Sequence, residues 1–158
     1  MPGVIGLISD THGLLRPEAI EALRGCDQII HAGDVGALDI LDRLRNVAPV
    51  LAVRGNVDDQ SPALPYTRTI DFDGRSIHVI HILADLDRRP PPLGVAAVIY
   101  GHSHKPAIDE RNGVLYVNPG SAGPKRFNLP ATVAKLWIED GRLTARIVPL
   151  EGVAGGAR

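Results

Sequence analysis

Near its start the chain reads Val4-Ile5-Gly6-Leu7-Ile8-Ser9-Asp10-Thr11-His12-Gly13. A short apolar run is followed directly by an aspartate and, two positions later, by a histidine and then a glycine. Such a run, bounded by turn residues, is typical of a buried strand. We therefore predict a strand over Val4–Ile8 whose end carries two side chains, Asp10 and His12, that are able to bind a metal ion.

The next part of the chain alternates between helical and strand patterns. Pro17–Leu23 and Leu38–Val47 have the apolar spacing of helices, and a proline suits the first position of a helix. Short apolar runs at Gln28–His31 and Val50–Val53 predict two more strands. The order strand, helix, strand, helix, strand implies a parallel sheet with helices packed on it.

The rest of the chain is predicted to be mostly strand. Asp73-Gly74 and Asp140-Gly141 are hairpin signals, whereas residues 84–94 are polar, rich in proline and predicted to be loop. We expect Asn118 and Ser121 to form a turn that supports the loop carrying His102 and His104. The predicted strands are Thr69–Phe72, Ile77–His81, Val95–Tyr100, Val114–Val117, Ala131–Ile138 and Leu143–Val148.

Length and composition limit the possible functions. The 158 residues predict one domain over residues 1–150, with residues 151–158 a disordered tail. A net charge of −1 argues against an extended nucleic-acid or membrane-binding surface. We see no membrane span and no signal peptide, so we expect a cytoplasmic protein. Six histidines and a single cysteine, Cys26, exclude an internal disulfide and favour a metal site with nitrogen and oxygen ligands.

Five predicted strands end in residues that could bind a metal. One such residue is usually a cap or a solvated loop residue, but five strands ending this way favour one shared site, since ligands bind at the carboxyl ends of strands in α/β sheets. Residues two apart in an extended segment also point the same way. The candidates are Asp10, His12, Asp34, Asn56, His81, His102 and His104.

Taken in order, these segments resemble the calcineurin-like metallophosphoesterases over residues 4 to about 148. The short length and Asn118-Pro119-Gly120-Ser121 are similar to the small bacterial and archaeal phosphodiesterase branch, which shares its fold with the retromer subunit VPS twenty-nine. The resemblance implies an α/β fold of the αββα sandwich type, with two packed mixed sheets flanked by helices. It rests on Asp10-x-His12, Gly33-Asp34, Gly55-Asn56-x-Asp58, His81 and Gly101-His102-x-His104.

The resemblance also implies two divalent metal ions, which we expect to be manganese, with iron, zinc, cobalt or nickel as alternatives. The reaction implied is hydrolysis of a small, nucleotide-like phosphate ester by attack of a metal-bridging hydroxide, with Asp34, Asn56 and His81 as catalytic residues. The resemblance favours a diester substrate, with a monoester as the alternative. Because relatives often form oligomers, a homo-oligomer is expected. Asp10, His12 and His104 would hold the first ion, Asn56, His81 and His102 the second, and Asp34 both.

Other charged residues have two interpretations each. Arg54, Lys125 and Arg126 are candidates for a phosphate contact, although a surface position explains each equally well. His31 is a candidate for orienting Asp34 through a contact behind the metal site, although a buried structural histidine is the commoner case. Asp58 is expected to have either a structural role or such a supporting role.

The sequence also departs from the family pattern. Val57 stands where many relatives have cysteine or histidine, and His81-Ile82-Leu83 stands where many have His-Gly-His. The segment between His81 and His102 is short and rich in proline, and the helix of relatives is expected to be missing there. With no general acid beside the centre, we expect weak protonation of the leaving group and a preference for good leaving groups.

Two other functions compete with the enzyme. A protein-binding scaffold of the same fold needs no complete ligand set, and the retromer relatives lose a histidine, whereas all seven positions are filled here. A metal-free nucleotide-binding module is disfavoured, because no Gly-rich phosphate loop follows the first strand.

Overall fold

The computed structural model describes residues 3–58, 64–125 and 128–150. Within these ranges the strands form two mixed five-stranded sheets. The first sheet contains β1 (Val4–Ile8), β2 (Gln28–His31), β3 (Val50–Ala52), β9 (Thr132–Glu139) and β10 (Arg142–Pro149). The second contains β4 (Thr67–Phe72), β5 (Arg75–Ile80), β6 (Ala97–Ile99), β7 (Ala107–Arg111) and β8 (Val114–Asn118).

The first sheet has the strand order β10-β9-β1-β2-β3, and its strands β1, β2 and β3 run parallel. The helices α1 (Pro17–Leu23) and α2 (Asp39–Arg45) connect these parallel strands. The predicted alternation of strands and helices is therefore confirmed, with α2 shorter at both ends than predicted.

The second sheet has the order β4-β5-β6-β8-β7, with β5, β6 and β8 parallel to one another. Its two hairpins turn at Asp73-Gly74 and Asn112-Gly113, and the β9–β10 hairpin turns at Asp140-Gly141. All six turn residues have a positive φ, which a type I′ turn requires at both central positions. The Asp-Gly hairpins are as predicted, whereas the Asn112-Gly113 hairpin was missed.

Side-chain alternation places β1 between two apolar cores. Ile5 and Leu7 lie in the core between the sheets, together with Ile77 and Ile99 of the second sheet. Ile8 faces the other way, into the core beneath the helices. The two sheets thus pack face to face through strands with an alternating pattern.

Two elements connected to the second sheet were not predicted. Residues 84–94 were predicted to be loop, but Leu83–Asp87 form a 3₁₀ helix, closed by bonds such as Asp85 N–H to the Ile82 carbonyl at 3.0 Å. Backbone N–H donors are available until the prolines begin at Pro90, so one short helix can form there. No α-helix occurs in the described connection between β5 and β6, as the departure from the family pattern suggested.

The other missed element is β7, an edge strand whose sequence is mostly polar and whose residues are mostly exposed. None of the helices in the described ranges is long and apolar enough to cross a membrane. Two predictions, the tail at 151–158 and the phosphate contact of Arg126, lie outside the described residues.

Candidate metal centre

The seven candidate ligands all follow strands that run parallel to a neighbour, at the edge where the carboxyl ends of both sheets meet. The first sheet supplies the two aspartates, one histidine and the asparagine, and the second supplies three histidines. They are Asp10 and His12 after β1, Asp34 after β2, Asn56 after β3, His81 after β5, and His102 and His104 after β6.

One group of ligand atoms comes from Asp10, His12 and His104, whose side chains lie within 4.8 Å of one another. The Nε2 atoms of His12 and His104 are 3.2 Å apart. Each of these nitrogens is 3.6 Å from Oδ1 of Asp10. Two imidazoles and a carboxylate oxygen thus converge on one point, as ligands of a transition metal do.

A second group comes from Asp34, His81 and His102, again within 4.8 Å. His81 Nε2 is 3.2 Å from Oδ2 of Asp34. The same oxygen is 3.5 Å from Nε2 of His12, a member of the first group. Asp34 therefore faces both groups with one carboxylate oxygen. Asn56 is exposed and lines a cavity together with His81.

The protonation of the His81 ring shows that a cation fits between the two groups of ligand atoms. Its Nδ1 lies 2.7 Å from the carbonyl of Ala32, which can only accept, so Nδ1 carries a proton. In the neutral ring, Nε2 then directs a lone pair at Asp34 Oδ2 and, 3.8 Å away, at Asp10 Oδ1. Among the described side chains, His81 Nε2 and Asp10 Oδ1 are buried without a hydrogen-bond partner. A metal ion fits this donor set, because it satisfies electron-rich atoms that otherwise repel one another.

The pKa values follow from the same geometry. Burial lowers the pKa of His81, but the carboxylates of Asp34 and Asp10 outweigh it, so the net shift is upward. Burial raises the pKa of Asp34, but the neighbouring His81 and His12 and the hydrogen bond from the Val57 backbone N–H together bring it well below its usual range. Asp34 is thus a carboxylate, the form that binds metal.

Each aspartate is fixed through one oxygen and leaves the other for the histidines. Asp10 Oδ2 accepts bonds from Ser9 Oγ at 2.8 Å and from the His102 backbone N–H at 3.0 Å. Asp34 Oδ1 accepts from the Val57 backbone N–H at 2.9 Å. The orientation of both carboxylates is therefore set by neighbouring loops before any ligand binds.

The backbone of the ligand loops is left-handed at most of the ligand positions. Non-glycine residues rarely adopt this conformation, and each case costs on the order of 1–3 kcal/mol. No sequence signal predicts this feature. The φ values are 57° at Asp10, 48° at His12, 58° at Asp34, 77° at His102 and 66° at His104.

Asp58 holds two ligand loops together. Its Oδ2 accepts from the backbone N–H groups of Val35 and Gly55 at 3.1 and 3.0 Å, and its Oδ1 accepts from Gly36 at 3.1 Å. The loop after β2, which carries Asp34, is thereby tied to the loop after β3, which carries Asn56.

His31 supports the loop after β1 without touching Asp34. Its Nδ1 accepts from the Gly33 N–H at 3.1 Å, so the proton of the neutral ring is on Nε2. Nε2 lies 3.1 Å from Thr11 Oγ1, which in turn donates to the Val35 carbonyl at 2.8 Å. Burial lowers the pKa of His31 to about 4, which keeps this tautomer neutral.

Two residues from the end of β8 support the centre from the other sheet. The Asn118 Nδ2 group donates to the Gly101 carbonyl at 3.2 Å and to Ser103 Oγ at 3.1 Å, on the loop that carries His102 and His104. Ser121 Oγ donates to the backbone carbonyl of Asp10 at 3.0 Å. The contacts of Asn118 are those expected from the sequence, whereas Ser121 supports the loop after β1 instead of the loop that carries His102 and His104.

A cavity of about 260 Å³ adjoins the centre at Asn56 and His81. Arg54, predicted as a phosphate contact, lies in its wall, whereas Lys125 is exposed and does not line it. Tyr66 and Arg89 also line the cavity, and sequence reasoning missed both. They lie in segments with no recognisable pattern, so only the folded chain brings them to the site.

Comparison with known proteins places these features in a family. The sequence model of the calcineurin-like phosphoesterase superfamily domain matches residues 4–141 of this chain. A probable metallophosphoesterase of Methanocaldococcus jannaschii is 37% identical over 161 residues, which cover 94% of this chain and 82% of the relative. The phosphodiesterase YfcE of Escherichia coli is 27% identical over 154 residues, which cover 81% of this chain and 84% of the relative.

Solved structures show the same fold. An archaeal phosphodiesterase has a TM-score of 0.74 at 24% identity, and the match covers 92% of this chain and 99% of that protein. Vacuolar protein sorting 29 of Cryptosporidium parvum has a TM-score of 0.74 at 19% identity, with coverages of 93% and 97%. At this identity the structures bear on the fold alone, and they confirm the predicted pair of packed mixed sheets.

Proposed function

The chain belongs to the calcineurin-like phosphoesterase superfamily, and from this premise we propose that it is a phosphodiesterase with a two-metal centre. The observation that carries the proposal is the position of Asp34 Oδ2, which faces His12 in one ligand group and His81 in the other. The names of its phosphodiesterase relatives support a diester substrate. A nucleotide-like ester and a homo-oligomer stay predictions.

The proposed ligands are compatible with several transition metals. Imidazole and carboxylate donors suit manganese, and also iron, zinc, cobalt or nickel. When bound, the ions supply positive charge that activates water and stabilises the phosphoryl oxygens during in-line displacement. In the proposal, Asp10, His12 and His104 hold one ion, Asn56, His81 and His102 hold the second, and Asp34 holds both.

The chain's own residues orient and charge the centre. The Ala32 carbonyl holds the His81 ring so that Nε2 points inward, and the Val57 N–H holds Asp34. Asp10 and Asp34 contribute −2 against +4 from two divalent ions. The loaded centre is therefore locally positive and attracts an anionic ester, although the net charge of the chain is −1.

Asp34→Asn tests the proposal. The variant is expected to lose manganese-dependent hydrolysis of bis(p-nitrophenyl) phosphate by more than the ~10–100-fold typical of losing an outer partner of a metal ligand. Bound metal, measured by elemental analysis, should fall as well. The matched control is Asp42→Asn, because the Asp42 carboxylate is exposed on α2 and pairs only with Arg45 at 2.8 Å among the described residues.

An active Asp34→Asn variant with unchanged metal content would contradict the shared role of this carboxylate. A wild-type protein that hydrolyses neither diesters nor monoesters with added metal would instead favour the alternative, a non-catalytic scaffold of the same fold.

A further inference from the structure

The cavity beside the proposed centre is lined by two arginines that share one aromatic ring. The guanidinium carbon of Arg54 lies 4.6 Å from the centroid of the Tyr66 ring, and that of Arg89 lies 4.4 Å from it. Cation–π contacts of this length hold guanidinium groups in place. Asn56 and His81 line the same cavity, so the arginines and two of the proposed ligands share one space.

Both guanidiniums have unused hydrogen-bonding capacity. Arg54 donates from Nε to the Leu64 carbonyl at 3.1 Å, which leaves its two terminal amino groups without a partner among the described residues. Arg89 makes no side-chain hydrogen bond or ion pair within those residues. A guanidinium fork that is positioned but not paired is suited to bidentate contact with a carboxylate or phosphate.

The charge of the cavity is positive. Asp85 is the acidic residue among its described lining residues, and its Oδ1 already accepts from Arg88 at 3.1 Å. Two arginines therefore face the cavity, whereas the carboxylate of Asp85 is largely neutralised by Arg88, which does not line the cavity. Such an arrangement favours an anion over a neutral or cationic group.

We propose that Arg54 and Arg89 bind a second anionic group of the substrate, on the ester arm that does not leave, while the reacting phosphoryl group lies at the metal centre. Tyr66 is a positioning residue that holds both guanidiniums. A volume of about 260 Å³ accommodates a small arm, such as one ring carrying a carboxylate or phosphate. This inference rests on the proposed phosphodiesterase function.

Two diesters that differ only in this anion test the proposal. p-Nitrophenyl phenyl phosphate and p-nitrophenyl 4-carboxyphenyl phosphate release the same p-nitrophenolate. The wild-type protein is expected to favour the carboxylated diester by about tenfold in kcat/KM, the size of one charge-assisted contact. In Arg89→Gln this ratio should fall to near one.

The matched control is Arg43→Gln, which makes the same change in charge at an exposed position on α2, away from the cavity. It is expected to keep the wild-type ratio. Tyr66→Leu should lower the ratio of the two kcat/KM values. Tyr66→Phe, which keeps the aromatic ring, should have the wild-type ratio. A ratio near one in the wild-type protein, or an unchanged ratio in Arg89→Gln, would overturn the proposal.

Failure of the proposed function is distinguishable from failure of this subsite. If the manganese-loaded protein hydrolyses neither diester, the phosphodiesterase proposal fails. Calorimetric binding of 4-carboxyphenylphosphonate and phenylphosphonate then tests whether Arg54 and Arg89 form an anion-binding subsite. Tighter binding of the carboxylated compound, lost in Arg89→Gln, would support the subsite. Equal affinities of the wild-type protein for the two phosphonates would reject it.

Discussion

At the scale of single residues, the centre depends on which atom of each side chain is already occupied. His81 uses Nδ1 for the Ala32 carbonyl, and Asp34 uses Oδ1 for the Val57 N–H, so Nε2 and Oδ2 remain for a metal. The identity of these residues could be predicted from the ends of apolar runs. The tautomer of His81 and the choice of oxygen in Asp34 could not be predicted from the sequence. Both depend on hydrogen bonds to backbone groups, the Ala32 carbonyl and the Val57 N–H, that only folding brings near.

Val57 gives a prediction at this scale, because its side chain is 49% exposed and offers no acid to a leaving group. We expect kcat/KM for phosphodiesters to fall steeply as the leaving group changes from p-nitrophenol to phenol to an alcohol. Val57→His should make the fall shallower, within the ~10²–10⁴-fold that general acids contribute.

Val57→Thr is the control for this series, since threonine has a similar size and no acidic group. Both variants keep the backbone N–H that holds Asp34. Comparable turnover of aryl and alkyl esters by the wild-type protein would disprove the expected preference for good leaving groups.

At the scale of elements, the site is made by parallel strands that end at one edge. Apolar runs such as Val4–Ile8 predict buried strands. The bounds of β1 and β2 are as predicted, whereas β3 and β6 are shorter than predicted. The polar edge strand Ala107–Arg111 lacks that signal, and only Asn112-Gly113 pointed to its hairpin. The pairing of β6 with β5 and β8, which brings His102 and His104 to the centre, is non-local and was not predictable from the pattern.

Gly101 at the end of β6 provides the test at this scale. A Cβ atom there would collide with Ser9 Oγ and Asp10 Oδ2, so Gly101→Ala must push the β6 loop away from β1. We expect manganese affinity, measured by calorimetry, to fall at least about tenfold, as when a partner of a metal ligand is lost.

Gly6→Ala is the matched control, because its Cβ atom would collide with Leu23 and Cys26 in the core beneath the helices. This variant should lose about 1–3 kcal/mol of stability through overpacking and keep its metal affinity. Wild-type affinity in Gly101→Ala would show that the close approach of the two loops is dispensable.

At the scale of the whole molecule, each ligand group joins the two sheets. Asp10 and His12 of the first sheet meet His104 of the second, and Asp34 of the first meets His81 and His102 of the second. A bound ion is therefore a link between the halves of the sandwich, additional to the apolar core that they share.

Metal is accordingly expected to stabilise the fold. Manganese at a hundred times its Kd should raise the free energy of unfolding by about 2.7 kcal/mol for each site, since the unfolded chain has no preformed centre. Urea unfolding with manganese and with a chelator measures the effect. Asp34→Asn should lose most of it and Asp42→Asn should retain it, whereas equal stability with and without saturating metal would contradict a link between the sheets.

The left-handed backbone at Asp10, His12, Asp34, His102 and His104 has a consequence for how this protein can evolve. Glycine at such a position relieves about 1–3 kcal/mol of strain, more than the ~0.4–1 kcal/mol by which its added freedom favours the unfolded chain. Selection for stability alone would therefore favour replacing the proposed metal ligands. A lineage freed from its enzymatic task could lose its ligands by drifting toward greater stability, without any selection against activity.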